Sequence, residues 1–202
     1  MESMNVPMSK LKREDLYSLE QYAQMRPQFR AMVMKHKKNR QIAIGAHASL
    51  SFEDRLTMHY QVQEMLRVER IFELGGIEEE LAAYNPLIPD GTNWKATFML
   101  EYPDIEQRRQ ALAHLKGVEK CVWIRVATCE PVLAIADEDL ERENDEKTSS
   151  VHFLRFELTP NMIAAAKNGA VLSVGIDHPV YRFDVDPLPS PIRDSLVADL
   201  LG

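Results

Sequence analysis

The sequence predicts an α+β fold: a helical N-terminal part with one β-hairpin, packed on a mixed or antiparallel sheet built from two β-α-β-β units. Three observations predict it. Apolar residues recur at helical spacing over most of the first half, strict alternation begins at Trp94, and the order strand, helix, strand, strand then occurs twice before a terminal helix.

Composition sets the bounds. With 202 residues, 45% of them apolar and 27% charged, the chain has ordinary globular values and can bury a core without disulfides or metal. Its net charge of -7 argues against nucleic-acid binding, which needs a clustered excess of Lys and Arg. The one basic run, KHKKNR from Lys35 to Arg40, reads as a solvated helix end, where cations favour the negative pole of the helix. Cys121 and Cys129 are too far apart for a CxxC pair and too few for a metal knuckle, so free thiols are expected. The N-terminal MESMNVPMSKLKRED lacks the apolar core of a signal peptide, and no apolar run approaches the roughly 18 residues of a membrane span. A cytoplasmic protein with no membrane partner is the expectation.

Along the chain, Glu14 to Gln24 and Pro27 to Lys38 read as two helices, or as one kinked at Arg26-Pro27. In QIAIGAHASLSFED, Ile42 and Ile44, then Ala48, Leu50 and Phe52, alternate on either side of Gly45, as in a hairpin. Asp54 is a suitable N-cap for the helix in FEDRLTMHYQVQEMLRVERIFE, and Gly75-Gly76 a suitable stop, with a shorter helix over Ile77 to Tyr84. The loop NPLIPDGTN, with its Pro89-Asp90-Gly91 turn, divides residues 1–92 from residues 93–202, although one compact domain fits as well. Trp94, Ala96, Phe98, Leu100 and Tyr102 then alternate, Pro103-Asp104 opens a helix that Gly117 closes, and Cys121 to Ala127 and Pro131 to Ala136 are strands. The acidic run Asp137 to Ser150 reads as a solvated helix or linker. The strand Val151 to Leu158, a helix after Thr159-Pro160, and the strands Ala170 to Ile176 and Val180 to Val185 follow the same order. LEYPD beside FELTP, and VATCEPV beside VGIDHPV, suggest an internal repeat of 93–137 and 151–186. Ser190-Pro191 opens the C-terminal helix.

Candidate chemistry centres on the stretch from Phe52 to Glu73. On a helical wheel His59, Gln63, Arg67 and Arg70 share one face, which reads either as a line of anion-binding groups or as the wet side of a central helix. Glu64 falls inside an apolar arc, where a carboxylate needs a cation, a proton or a metal. An arginine beside it marks packing; a cavity shared with His59 or Arg67 marks a site. The ExxH signature of di-iron bundles is absent, because Arg67 occupies the third position after Glu64. Asn85, Asp90, Asn93 and Lys95, next to Trp94, form either the rim of a small-molecule site or a structural loop. Glu101 and Glu157, equivalent in the suggested repeat, and His152, on the opposite strand face from Glu157, are the remaining candidate metal ligands. His47, His114 and His178 read as surface or turn residues. No GxGxxG, P-loop, HExxH, GxSxG or paired CxxC occurs, so no cofactor or enzyme class is assigned.

The segments HKKNRQIAIGAHASLSFEDRLTMHYQVQEMLRVERIF, YNPLIPDGTNWKAT and EKTSSVHFLRFELTP together resemble a bacterial domain-of-unknown-function family over nearly the whole chain. The resemblance implies an accessory place in redox or peroxide-stress metabolism, since members are often encoded beside a rubrerythrin and an iron-sulfur oxidoreductase resembling a heterodisulfide reductase subunit. It transfers no catalytic residue, and two cysteines do not supply a cluster's ligands. A non-enzymatic accessory or binding protein is therefore expected. The alternative is a metal-dependent or small-molecule enzyme with Glu64, His59 and the NPLIPDG loop at its site, and a homodimer is left open.

Overall fold

The computed structural model describes residues 9–138, 142 and 147–201; the first eight residues, residues 139–141 and 143–146 of the acidic run Asp137 to Ser150, and the last residue lie outside the described residues. Helix α1 (Leu19–Lys37) is continuous, with Pro27 inside it. It opens on a capping box in which Ser18 Oγ accepts the Gln21 N–H while the Gln21 side chain accepts the Ser18 N–H. The hairpin β1 (Gln41–Ile44) and β2 (Ala48–Glu53) leads into α2 (Arg55–Glu69), where Asp54 Oδ1 accepts the Thr57 N–H at 2.8 Å. This helix does not run on to Gly75-Gly76. It ends where Arg70 adopts φ 55°, and the glycines lie in the first turn of α3 (Leu74–Tyr84). A Cβ on Gly76 would fall 2.7 Å from the Ile71 side chain, so glycine here admits a close approach rather than stopping a helix.

The remaining elements are β3 (Asn93–Leu100), α4 (Ile105–His114), β4 (Val122–Val126), β5 (Val132–Leu133), β6 (Ile135–Ala136), β7 (Val151–Glu157), α5 (Pro160–Lys167), β8 (Leu172–His178), β9 (Tyr181–Val185) and α6 (Ser190–Val197). The class is α+β, and the strands form two antiparallel sheets, β1-β2-β3-β7-β6 and β5-β4-β8-β9. The hairpin continues the first sheet instead of lying on it, with Phe52 opposite Ala96. Strands aligned by sequence are hydrogen-bonded neighbours: β3 pairs with β7, Thr97 opposite Phe153, and β4 with β8, Arg125 opposite Ser173.

Alternation puts one face of each sheet into a shared core, to which Leu50, Phe52, Phe98 and Phe156 contribute from the first sheet and Ile124, Val174 and Ile176 from the second. At one edge only Ala134 separates β5 from β6, so the chain turns there from one sheet to the other. At the opposite edge the Tyr181 hydroxyl donates to the Ile44 carbonyl at 2.7 Å and accepts the His47 N–H at 3.0 Å. The helical part has apolar clusters of its own, one of Met58, Val62, Leu66, Leu81 and Ile88 with Leu11, the other of Tyr22, Phe29, Val33 and Tyr60. Among the described residues no helix is long and apolar enough to cross a membrane.

Candidate functional site

Glu64 has an arginine beside it. Its Oε1 accepts from the Tyr22 hydroxyl at 2.7 Å and Arg26 Nε at 2.8 Å, and its Oε2 from Arg26 Nη2 at 2.9 Å and Arg67 Nη2 at 3.1 Å. The two-point bonds from Arg26 hold the carboxyl at about 2, against the upward push of burial, with Tyr22 and Arg67 assisting. Both oxygens are engaged and the acid stays ionised, so Glu64 joins α1 to α2 and is poorly disposed for proton transfer or metal ligation.

The stripe above it is divided. Arg67 and Arg70 are exposed, whereas Gln63 is fully buried, its Oε1 accepting the Tyr17 N–H at 2.6 Å and its Nε2 donating to the Tyr17 carbonyl at 3.4 Å. His59 lies against the Tyr17 ring at 5.9 Å and the Phe29 ring at 5.1 Å. The wet-face reading is thus corrected for half of the stripe: the segment leading into α1 covers it. The four-residue anion line is not formed either, since two of its members are covered. Burial, and then the charge of Arg55, lower the pKa of His59, whose Nε2 is buried without a hydrogen-bond partner among the described residues.

The NPLIPDG residues are satisfied within the fold. Asn85 clamps Leu11, accepting its N–H at 2.7 Å and donating to its carbonyl at 2.9 Å. Asp90 Oδ1 accepts the Thr92 N–H and hydroxyl, and Asn93, 2% exposed, accepts the Asp90 N–H and donates to Glu157. Lys95 donates to the Pro86 carbonyl, while Lys10 donates to the carbonyls of Asn85 and Ile88. Burial first lowers the pKa of both lysines, and Lys95 lowers that of Lys10 further. The arrangement is that of a structural loop.

Antiparallel pairing separates the two glutamates proposed to share a metal. Glu157 sits opposite Asn93, at one end of the β3–β7 pair, while Glu101 lies past the Met99–Val151 end and accepts from Ser49 at 3.1 Å. His152 is fully buried, with Nδ1 2.5 Å from Asp137 Oδ2, Nε2 2.9 Å from Thr148 Oγ1, and Glu119 at 3.9 Å. Among the described residues no group of three His, Cys, Asp or Glu side chains is placed to hold a metal ion. His178 is also buried, its Nε2 3.0 Å from the Lys116 carbonyl oxygen, which corrects its reading as a turn residue.

A charged cluster that the sequence did not reveal lies at the end of KHKKNR. Arg40 is 2% exposed and not solvated. It donates to the carbonyls of Phe52 and Glu53, to Ser195, and to Asp199 at 2.5 Å. Asp54 stands between Arg40, at 3.3 Å, and His36, at 2.5 Å. Burial raises the pKa of Asp54, but the bond from His36 and the charge of Arg40 bring it below its ordinary value. In Asp199 burial prevails over Arg40 and raises it. These groups border an open hollow of about 240 Å³ with Leu56 and Ala198. Nothing in the run distinguishes the one cation that turns inward, and its partner Asp199 is remote in sequence.

A larger groove, about 420 Å³, lies between the start of α1 and the α2–α3 junction and is lined by Leu16, Tyr17, Leu66, Ile71, Phe72 and Ile77 among others. Phe72, in its lining, is 72% exposed, and Val68 (57%) and Leu74 (50%) are bare in the same stretch of chain. Large apolar side chains bare in one patch mark interaction surfaces more often than isolated ones do.

Comparison with known proteins gives a consistent answer. No curated protein matches the sequence. A crystal structure at 1.90 Å from Burkholderia pseudomallei K96243, described as a novel protein of unknown function, is similar over 96% of this chain and 100% of its own, with 51% identity and a TM-score of 0.91. A family model matches residues 10–200, and the chain belongs to that family, described as Protein of unknown function (DUF3501).

Proposed function

We propose that the protein is an accessory binding protein of the cytoplasm that acts through a protein partner, an iron-sulfur oxidoreductase or a rubrerythrin being the first candidates. The observation that carries this reading is the groove with the bare Phe72 in its lining, in a stretch of chain that also exposes Val68 and Leu74. The redox identity of the partner is supported only by the family resemblance. A pull-down from native cells, with the full chain as bait and mass-spectrometric identification, tests it. Recovery of either partner above a mock bait is expected; repeated recovery of neither sinks the redox reading.

A second reading, a small-molecule enzyme, is favoured by the 2.5 Å His36–Asp54 contact at an open hollow. It moves away from Glu64, which the arginines hold. Thermal unfolding against a panel of metabolites and divalent ions checks it: a stabilising ligand whose effect disappears in His36→Gln is expected, and a flat panel removes the reading.

A further inference from the structure

We propose that the groove at the α2–α3 junction docks a basic amphipathic segment of a partner protein, with apolar side chains seated in the groove and lysines or arginines along its flanks. The inference rests on the protein-binding role proposed above and specifies the surface and the chemistry of the partner.

The groove is lined from within residues 13–21 and 66–77, Arg13 and Glu20 being the charged residues in its lining, and the second segment continues in α3 through residue 81. These segments carry seven glutamates, Glu14, Glu20, Glu69, Glu73, Glu78, Glu79 and Glu80, besides Asp15, which Arg55 engages at 2.8 Å. Against them stand Arg13, Arg67 and Arg70, and Arg67 is already bound to Glu64 at 3.1 Å. Every one of the seven except Glu80 is exposed. Glu80 registers the crowding: its pKa is raised by burial, then by Glu69 across from it on α2 and by Glu79. The helix ends add no net charge, since the negative pole at the end of α2 meets the positive pole of α1, whose first residues line the groove.

An apolar floor between glutamate-rich flanks disfavours several occupants. A second copy packed face to face would oppose like-charged rims, which an isologous interface cannot avoid. Nucleic acid and anionic lipid are repelled for the same reason. A helix with apolar anchors at i, i+3, i+4 and i+7 and cations beside them meets both the floor and the rim.

The probe is a synthetic leucine–lysine peptide of about 18 residues, or five turns, with leucines at helical spacing. A scrambled isomer and a leucine–glutamate version are the controls, and binding to the full chain is followed by fluorescence anisotropy at low and physiological salt. The patterned peptide is expected to bind about tenfold or more tightly than the scrambled one, and the glutamate version not to bind. Phe72→Asp should weaken binding about tenfold or more. The pair Glu78→Lys and Glu79→Lys should weaken it chiefly at low salt. All three sites are exposed, so unchanged thermal unfolding verifies that the variants are folded. Equal binding of the scrambled isomer, or indifference to Phe72→Asp, overturns the proposal. So does a wild-type dimer in sedimentation that Phe72→Asp dissolves, because a second copy then fills the groove. If the peptide behaves as expected but native cells yield no redox partner, the redox reading fails and the docking surface stands. If those partners come down equally with Phe72→Asp bait, the surface fails and the redox reading stands.

Discussion

Replacing Arg40 by methionine removes a guanidinium that donates Nε to the Phe52 carbonyl at 3.0 Å, Nη2 to the Glu53 carbonyl at 3.2 Å, and Nη1 to Ser195 Oγ at 3.1 Å. It also removes the fork on Asp199, with contacts of 2.5 and 3.3 Å. The Asp199 side chain is 9% exposed, so its charge is left without compensation in a poorly solvated place. Breaking such a pair from one side costs about 3–5 kcal/mol, more than the ~1 kcal/mol of an ordinary hydrogen bond, because the surviving ion has no partner. Burial already raises the Asp199 pKa, so folding disfavours its carboxylate form relative to the unfolded chain. The loss in Arg40→Met should therefore be smallest in acid and grow as pH rises above the ordinary value of 3.8. Removing the stranded ion as well, in Arg40→Met with Asp199→Leu, should restore about 2–3 kcal/mol. Urea unfolding followed by circular dichroism reads these as midpoint shifts at constant slope. A loss below about 1 kcal/mol in the single variant, or a double variant no better than the sum of the singles, refutes the account.

Glu64 has a folded-state pKa of about 2 against an ordinary 4.5, so its stabilisation is present above the ordinary value and is lost as pH falls toward 2. Glu64→Gln should be less stable by about 1–2 kcal/mol at neutral pH, after allowance for solvent screening, and the gap to wild type should close in acid; a gap independent of pH contradicts the assignment. His59 has its pKa lowered from 6.5, so protonation opposes folding and stability declines as pH falls below that value. Melting temperatures of His59→Phe taken between neutral and mildly acidic pH should show a shallower decline than wild type, and parallel curves would sink the idea. In Gly175→Ala the new Cβ would clash with the Trp123 ring, so a loss of about 1–3 kcal/mol in urea unfolding is expected, and an unchanged midpoint counts against that contact.

Elements set by local rules were legible in the sequence. The Asp54 cap, the alternation from Trp94, and the Thr159-Pro160 helix start each depend on neighbours within four residues, and each is present. The division of the strands into two sheets was not legible, because it turns on β5 and β6, two residues each with Ala134 between them. The Gly75-Gly76 stop was misplaced because Arg70 takes the left-handed conformation that glycine usually supplies. At the candidate sites the limit was partner identity. A wheel places Gln63 and Glu64 on faces of their own helix but cannot show that Tyr17 will cover one and Arg26 will reach the other. Arg40 was hidden in the same way, since Asp199 and Ser195 come to it from the far end of the chain.

The two seams of the sandwich differ in kind. At Ala134 the polypeptide itself is the spine of a book, and the covers cannot part there without unfolding. At the other side the clasp is made of side chains, the Tyr181 phenol hooked on Ile44 and His47 and the Phe183 ring lying against Gly45. Opening at the clasp bares the rims of β1 and β9 in a single motion, so for this molecule transient breathing and the exposure of strand edges to other chains are one event, guarded by two aromatic side chains.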